Sequence, residues 1–317
     1  MRSVFLDYQT LSHGDLDPRP LLEILPDIEL YGRTTPAQIP GRIAGARIVC
    51  TNKAPITRAM IEQAPDLRFI AVAATGCNNI DLDAARRCGV AVSNVRDYCS
   101  DSVAQHVWGL ILALTQHLRE YSHRTIDGTW AKAGQFTLLD FPVRELRGRA
   151  LGIVGWGQLG RAVARIGEAF GMRILIANRP GGKPLAGRLD LPDLLAQTDI
   201  LSLHCPLTDS TRGLIGAREL AGMKPDALLI NTARGALVDS AALAAALRGG
   251  RLGGAGIDVL VQEPPVDGDA LLDESIPNLL VTPHMAWASR GARQRCLEQV
   301  ADNVRQFLKG TTARRVV

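Results

Sequence analysis

The sequence predicts an α/β protein of two doubly wound, parallel-sheet domains with an interdomain cleft. Three observations carry that expectation. Short apolar runs alternate with segments of helical period through both halves of the chain, the pattern of parallel strands joined by crossover helices. A glycine-rich turn, Gly155-Trp-Gly157-Gln-Leu-Gly160, stands between one such run and one such segment. In the second half, run after run ends in unusual polar residues, and open parallel sheets bind ligands at the carboxyl ends of their strands. Both domains are therefore expected to be Rossmann-like.

In the first half, residues 4–7 read as a strand and residues 47–50 as another, ahead of Thr51-Asn52-Lys53. Residues 67–74 form a continuous apolar run ending in Thr75-Gly76-Cys77-Asn78-Asn79; a helical segment at 82–87 and a strand at 90–93 follow. A long helix is expected from Ser100 to about Tyr121, with Ser100 or Asp101 as its N-cap, and its place between two α/β units suits a bridge. Residues 124–146, with Gly128, Trp130, Gly134 and Pro142, keep no regular period and suit a segment that wraps a partner subunit. The second unit begins at Arg149, with strands near 174–177, 200–203, 227–230, 255–258 and 279–281 and helices at 191–197 and 241–247. A last helix over 289–308 is expected to return to the first unit. The expected domains are thus 1–99 with 286–317, discontinuous and substrate-binding, and 100–285, cofactor-binding.

Composition excludes several functions. The net charge of +4 is modest and its Lys and Arg residues are scattered, so nothing favours nucleic acid. The longest apolar stretch, 107–114, is too short to span a bilayer, and Met-Arg-Ser-Val-Phe-Leu-Asp enters a strand without the apolar region of a signal peptide. Six cysteines without CxxC spacing read as buried, reduced thiols of a cytoplasmic protein with no metal site.

The glycine turn carries the first chemistry. Gly155 would permit the sharp turn, Gly157 the close approach of a pyrophosphate, and Gly160 close packing of helix on strand. With Gln158 and Leu159 these residues open a helix whose N–H groups and positive dipole end face an anion, so a dinucleotide is the expected ligand. Three polar residues supply the second. Arg234, Glu263 and His284 follow successive strands. Taken singly they read as a surface arginine, a solvated loop acid and a structural histidine. Together above a dinucleotide they supply what reduction of a 2-keto acid requires. A guanidinium takes the carboxylate or keto oxygen in paired hydrogen bonds, an imidazole exchanges the proton, and an acid on that imidazole orients it and favours its charged form.

The set Gly155-Trp-Gly157-Gln-Leu-Gly160, His204-Cys-Pro-Leu-Thr208, Met223-Lys-Pro225, Asn231-Thr-Ala-Arg-Gly235, Gly256-Ile-Asp-Val259, Glu263-Pro264 and Pro283-His284 resembles the D-isomer-specific 2-hydroxyacid dehydrogenases over nearly the whole chain. Phe5-Leu-Asp-Tyr8, Thr51-Asn-Lys53, Ala74-Thr-Gly-Cys-Asn-Asn79 and Val103-Ala-Gln-His106 look closest to the glycerate dehydrogenase, or hydroxypyruvate reductase, branch. The resemblance implies Arg234 as substrate-binding arginine, Glu263 as the acid that orients the histidine, and His284 as proton donor. It further implies Asp258 as holder of the nicotinamide carboxamide, with Cys205, Pro206, Thr232, Ala233 and Ala286 along the cofactor. Thr75, Gly76 and Cys77 become a substrate-carboxylate loop, with Lys53 as a second contact. The implied activity is reduction of hydroxypyruvate or glyoxylate to D-glycerate or glycolate with NAD(P)H, without a metal and in a homodimer. A phosphoglycerate dehydrogenase-like enzyme and a dinucleotide-sensing corepressor-like protein of the same fold stay open as alternatives. One departure concerns the cofactor. In the NAD-preferring pattern an acid follows the second strand and holds the ribose, whereas here Asn178-Arg179-Pro180 stands there, Lys183 follows, and the only acid between Gly160 and Asp190 is Glu168. Asn178 and Arg179 are therefore expected to admit NADPH, with room for a preference for it.

Overall fold

The computed structural model describes residues 1–311 and 313–317. They form two compact units, residues 1–99 with 288–317 and residues 100–287. The second unit thus extends two residues past the boundary expected from the sequence; within it the Asp258 carboxylate accepts the Ala286 N–H at 2.9 Å and Trp287 Nε1 donates to His284 O at 2.9 Å.

In the first unit, β1 (Ser3–Phe5), β2 (Glu29–Leu30), β3 (Ile48–Thr51), β4 (Phe69–Val72) and β5 (Ala91–Ser93) form a parallel sheet in the order β2-β1-β3-β4-β5. β3 and β4 are buried along their whole length, which is why they read as unbroken apolar runs. The helix Arg290–Leu308, capped by the Ser289 hydroxyl, closes this unit. Its Phe307 ring stacks on Phe69 at 4.5 Å, Cys296 Sγ donates to Ala73 O, and Asn303 Nδ2 donates to Asn94 O at 2.8 Å. Beyond it, Val316 N donates to Val92 O, so the last residues lie along β5.

In the second unit, β6 (Ala150–Val154), β7 (Arg173–Ile176), β8 (Ile200–Leu203), β9 (Leu228–Asn231), β10 (Gly254–Ile257) and β11 (Leu279–Val281) make a parallel sheet ordered β11-β10-β9-β8-β6-β7. The helix Ser100–Gln116 packs within this unit, its buried face including Val107, Leu110, Ile111 and Leu114, and Trp108 Nε1 donates to Val163 O at 3.1 Å. Ser100 is itself helical, so the cap lies before it. The long helix expected to reach Tyr121 breaks at His117, which takes φ +48°. The Thr115 hydroxyl turns back to Ile111 O, and Thr115 O accepts the Arg144 N–H in place of a helical donor. A second helix, Leu118–Ile126, then starts, and a short one, Thr129–Lys132, follows in the stretch expected to be irregular. Ile126, Phe136 and Leu139 in this stretch are each more than four-fifths exposed. The cysteines also differ from expectation. Cys50, Cys205 and Cys296 are buried, but Cys77 and Cys99 are half-buried and Cys88, at a helix end, is exposed.

Candidate active site

β6 lies between β7 and β8, where the strand order of the second sheet reverses. The turn after β6 puts Gly155 at φ +103°, and a Cβ there would lie 2.5 Å from the backbone of His204 and Cys205. A Cβ on Gly160 would meet Gly155 O at 2.2 Å, so helix and turn pack without space for a side chain. At Gly157 nothing lies within 4 Å of a Cβ. Gly157 is also the N-cap of the helix Gln158–Ala169 and offers no side chain to its first N–H groups. Open space in front of a helix start whose N-cap is glycine suits an anion. Three buried polar atoms have no hydrogen-bond partner among the described residues; Thr198 Oγ1 precedes β8, whereas His204 Nδ1 and Thr232 Oγ1 stand just past the carboxyl ends of β8 and β9, and buried polar groups are as a rule paired. Turn, helix start and orphaned atoms therefore fit a dinucleotide.

The loop after β8 starts with half-buried His204 and buried Cys205 and turns outward at Pro206. Burial holds the His204 imidazole down to about 4, so it is neutral near pH 7, and its Nε2 sits 2.9 Å from Ser202 Oγ. Burial pushes the Cys205 thiol up. Pro206 is exposed, and its carbonyl accepts from Thr211 Oγ1.

After β7 the fold changes one expectation. Asn178 Nδ2 donates to Asp190 Oδ1 at 2.8 Å, and Asn178 Oδ1 accepts the Leu185 N–H. A parallel bridge between Ala177 and Leu189 closes this loop. An acid twelve residues away in sequence therefore stands beside the strand end, and the region is not free of carboxylate. Asn178 is committed to its own loop, whereas Arg179 and Lys183 are exposed.

The ends of the adjacent strands β9, β10 and β11 carry Arg234, Glu263 and His284. Asn231 shapes the first loop, donating to Arg234 O and accepting from Ala233 N, and Arg234 Nη1 donates to Ala233 O at 2.7 Å. A Cβ on Gly235 would lie 2.1 Å from Leu260 C, so this loop lies directly on the one leading to Glu263. Glu263 Oε1 accepts the Leu260 N–H at 2.9 Å, and Oε2 is 2.6 Å from His284 Nδ1. With Nδ1 donating to the acid, Nε2 is the nitrogen left to exchange a proton. His284 itself sits at φ +52°, its N–H shared between Asp258 O and Thr282 O.

Asp258 underpins that turn. Its Oδ1 accepts from Thr282 Oγ1 at 2.5 Å and Met285 N at 2.9 Å, its Oδ2 from Ala286 N at 2.9 Å, and it is 1% exposed. Burial alone would raise this carboxyl. Hydrogen bonds from His106, Thr282 and the Ala286 and Met285 N–H groups outweigh burial and leave it below its ordinary value. His106 and Ser102 complete this support, and neither was expected in it from the sequence. His106 Nε2 lies 3.0 Å from Thr282 Oγ1, and Ser102 Oγ donates to Ala286 O. Their spacing of four residues on one helix was the available signal.

In the first unit, Lys53 is exposed and follows β3, while Thr75, Gly76 and Cys77 follow β4. Asn94 Nδ2 donates to Thr75 O at 2.8 Å, and burial raises the Cys77 thiol.

Residues 108–286 match the family described as D-isomer specific 2-hydroxyacid dehydrogenase, NAD binding domain. The chain belongs to this family. It is 46% identical over 276 residues to a glycerate dehydrogenase of Methylorubrum extorquens, with 87% of each chain covered. It is 34% identical to a hydroxypyruvate reductase of Blautia hydrogenotrophica, with 98% of each covered. Among solved structures, the TT0316 protein of Thermus thermophilus aligns over all of both chains at 34% identity with a TM-score of 0.88. The protein is accordingly an NAD(P)-dependent dehydrogenase, an oxidoreductase acting on a small keto or hydroxy acid.

Proposed function

We propose that the dehydrogenase reduces hydroxypyruvate or glyoxylate to D-glycerate or glycolate, with His284 as proton donor and with NADPH accepted as well as NADH. The observation that carries the reading is the 2.6 Å pair of His284 Nδ1 and Glu263 Oε2 beside the Arg234 loop. The names of the Methylorubrum and Blautia relatives support the substrate class. When bound, the nicotinamide supplies the hydride. The Gly155–Gly160 turn, the Cys205–Pro206 and Thr232–Ala233 loops and Asp258 would hold it, with Ala286 acting through its bond to Asp258. Arg234 takes the substrate carboxylate or keto oxygen in paired hydrogen bonds and stabilises charge that develops on that oxygen. His284 gives its Nε2 proton to the oxygen, while Glu263 fixes the ring. Lys53 and the backbone of Thr75, Gly76 and Cys77 are assigned to the carboxylate of the substrate.

For the cofactor, exposed Arg179 and Lys183 favour a 2'-phosphate, and Asp190 beside Asn178 opposes it. The test is kcat/KM for hydroxypyruvate, glyoxylate, pyruvate and 3-phosphohydroxypyruvate with both reduced cofactors. Hydroxypyruvate or glyoxylate should lead, with turnover from NADPH as well as from NADH. A lead for 3-phosphohydroxypyruvate would overturn the substrate assignment, and a strong NADH preference would give the ribose to Asp190. His284→Ala should lower kcat by roughly a hundredfold or more with the cofactor Kd kept; near-normal turnover would remove His284 from its role.

The same proposal makes the enzyme a cytoplasmic homodimer. Exposed Ile126, Phe136 and Leu139 favour an apolar contact between two copies. A monomer by light scattering would refute the dimer.

A further inference from the structure

We propose that Asp7 is a positioning residue for substrate binding, its carboxylate fixing the loop that presents Lys53. The proposal rests on the reading of Lys53 as a substrate contact. In the first sheet the strand order reverses between β1 and β3, which pair through Phe5 and Cys50. Asp7 stands two residues past the end of β1, and Asn52, Lys53 and Ala54 follow β3 directly. Asp7 Oδ1 accepts the Asn52 N–H at 2.8 Å, and Oδ2 accepts those of Lys53 at 2.5 Å and Ala54 at 2.8 Å. Three successive N–H groups make a concavity for an anion, and here the anion is a side chain of the protein. Asp7 is 4% exposed. A buried carboxylate is tolerated only while its hydrogen bonds are made, so the loop is held to it.

Further bonds hold the loop from its other sides. Thr51 Oγ1 donates to Ala54 O, and Asn52 Nδ2 donates to Thr10 Oγ1, whose hydroxyl donates to Asp7 O. Asn79 Nδ2 donates to Ala54 O at 3.1 Å, while Ile56 N donates to Asn79 O. Asn79 ends the Thr75–Asn79 segment, so one brace fixes both loops assigned to the substrate carboxylate. An ammonium on a four-carbon stem is a mobile point charge. A fixed backbone beneath it restricts where that charge can be and lowers the ordering cost of binding a 2-keto acid.

The test is a double-mutant cycle read by steady-state kinetics, with cofactor Kd followed by fluorescence. In Asp7→Asn the amide NH2 opposes N–H donors. KM for hydroxypyruvate should rise roughly tenfold, with kcat within about threefold and cofactor Kd unchanged. Lys53→Ala should raise KM alike, and the double variant should be no worse than Lys53→Ala. An unaltered KM in Lys53→Ala would overturn the reading of Lys53, and the proposal with it. A raised KM there, with an unaltered KM in Asp7→Asn or with effects that multiply in the double variant, would overturn the proposal alone. So would a joint loss of kcat and cofactor affinity in Asp7→Asn, the mark of general structural damage. Should Asp7→Asn fail to fold, Asp7→Glu keeps the charge while displacing the loop by one methylene, and the same cycle and outcomes apply.

Discussion

The two sheets share their wiring. Read from the edge, the first runs β2-β1-β3-β4-β5 and the second β7-β6-β8-β9-β10-β11, and each reverses beside its first strand. At that corner they part. In the second unit the turn after β6 runs Gly155-Trp156-Gly157, with open space at Gly157, which as N-cap offers no side chain to the helix start. In the first unit the equivalent corner is closed by Asp7, which takes the N–H groups of Asn52, Lys53 and Ala54. One corner is ready for an anion from outside, and the other is filled by an anion the chain carries. The residues after the first strand differ in kind: a glycine turn leaves space at one corner, and an acid fills the other.

The largest expected effect comes from making the second corner resemble the first. Gly157→Asp should seat a carboxylate at the N-cap, where the backbone φ of −85° and the empty surroundings accept one. Thermal stability should hold or rise, because a capping acid stabilises a helix start. Cofactor Kd should rise on the order of a hundredfold, through loss of the site and repulsion of phosphate. Unchanged affinity by calorimetric titration would break the comparison. A smaller effect should follow in the first unit from Asn79→Ala, which severs the tie to Ala54 O. Denaturant unfolding should register about 1 kcal/mol of lost stability, and KM for hydroxypyruvate should rise severalfold with kcat nearly kept; a wild-type KM would show that the two loops need no tie. The smallest effect is a pH slope. The folded pKa of Asp258 lies below its ordinary value, so its stabilisation is complete above the unfolded value of about 3.9 and is lost as pH falls through the folded value. The unfolding midpoint should therefore fall with acidification in this range, and Asp258→Asn should flatten that fall; an unaltered slope would assign it to other carboxyls.

Much of the architecture is legible in the chain, for reasons that also mark the limits. The strand Ile200–Leu203, buried along its length, and the edge strand Leu279–Val281, half-buried beyond Leu279, are mostly apolar runs with polar residues after them, so parallel strands announce their own bounds. The break at His117 is hidden because Leu118 and Tyr121 continue the apolar period, although Leu118 is more than half exposed; periodicity alone does not report what covers a face. Asp190 is hidden for another reason. Sequence distance from the glycines suggests a strand end without acid, but the bridge from Ala177 to Leu189 folds the acid back. At the candidate site the residue types are legible, whereas the separation of His284 and Glu263, 21 residues apart, is set by the alignment of strands. Asp7 reads as an ordinary strand-end acid, since nothing in Phe5-Leu-Asp-Tyr8 reveals that β3 ends alongside it.

The first unit is assembled from both ends of the chain. A ribosome releases β1 to β5 well before the helix Arg290–Leu308, and at roughly 5–20 residues per second the interval is of the order of ten seconds or more. During it Phe69 lacks the ring of Phe307 and Ala73 lacks Cys296. The second unit, continuous in sequence, has all its strands in hand first. Until that helix arrives, the nascent N-terminal sheet leaves uncovered the apolar surface that the helix later packs on, the kind of surface that chaperones shield.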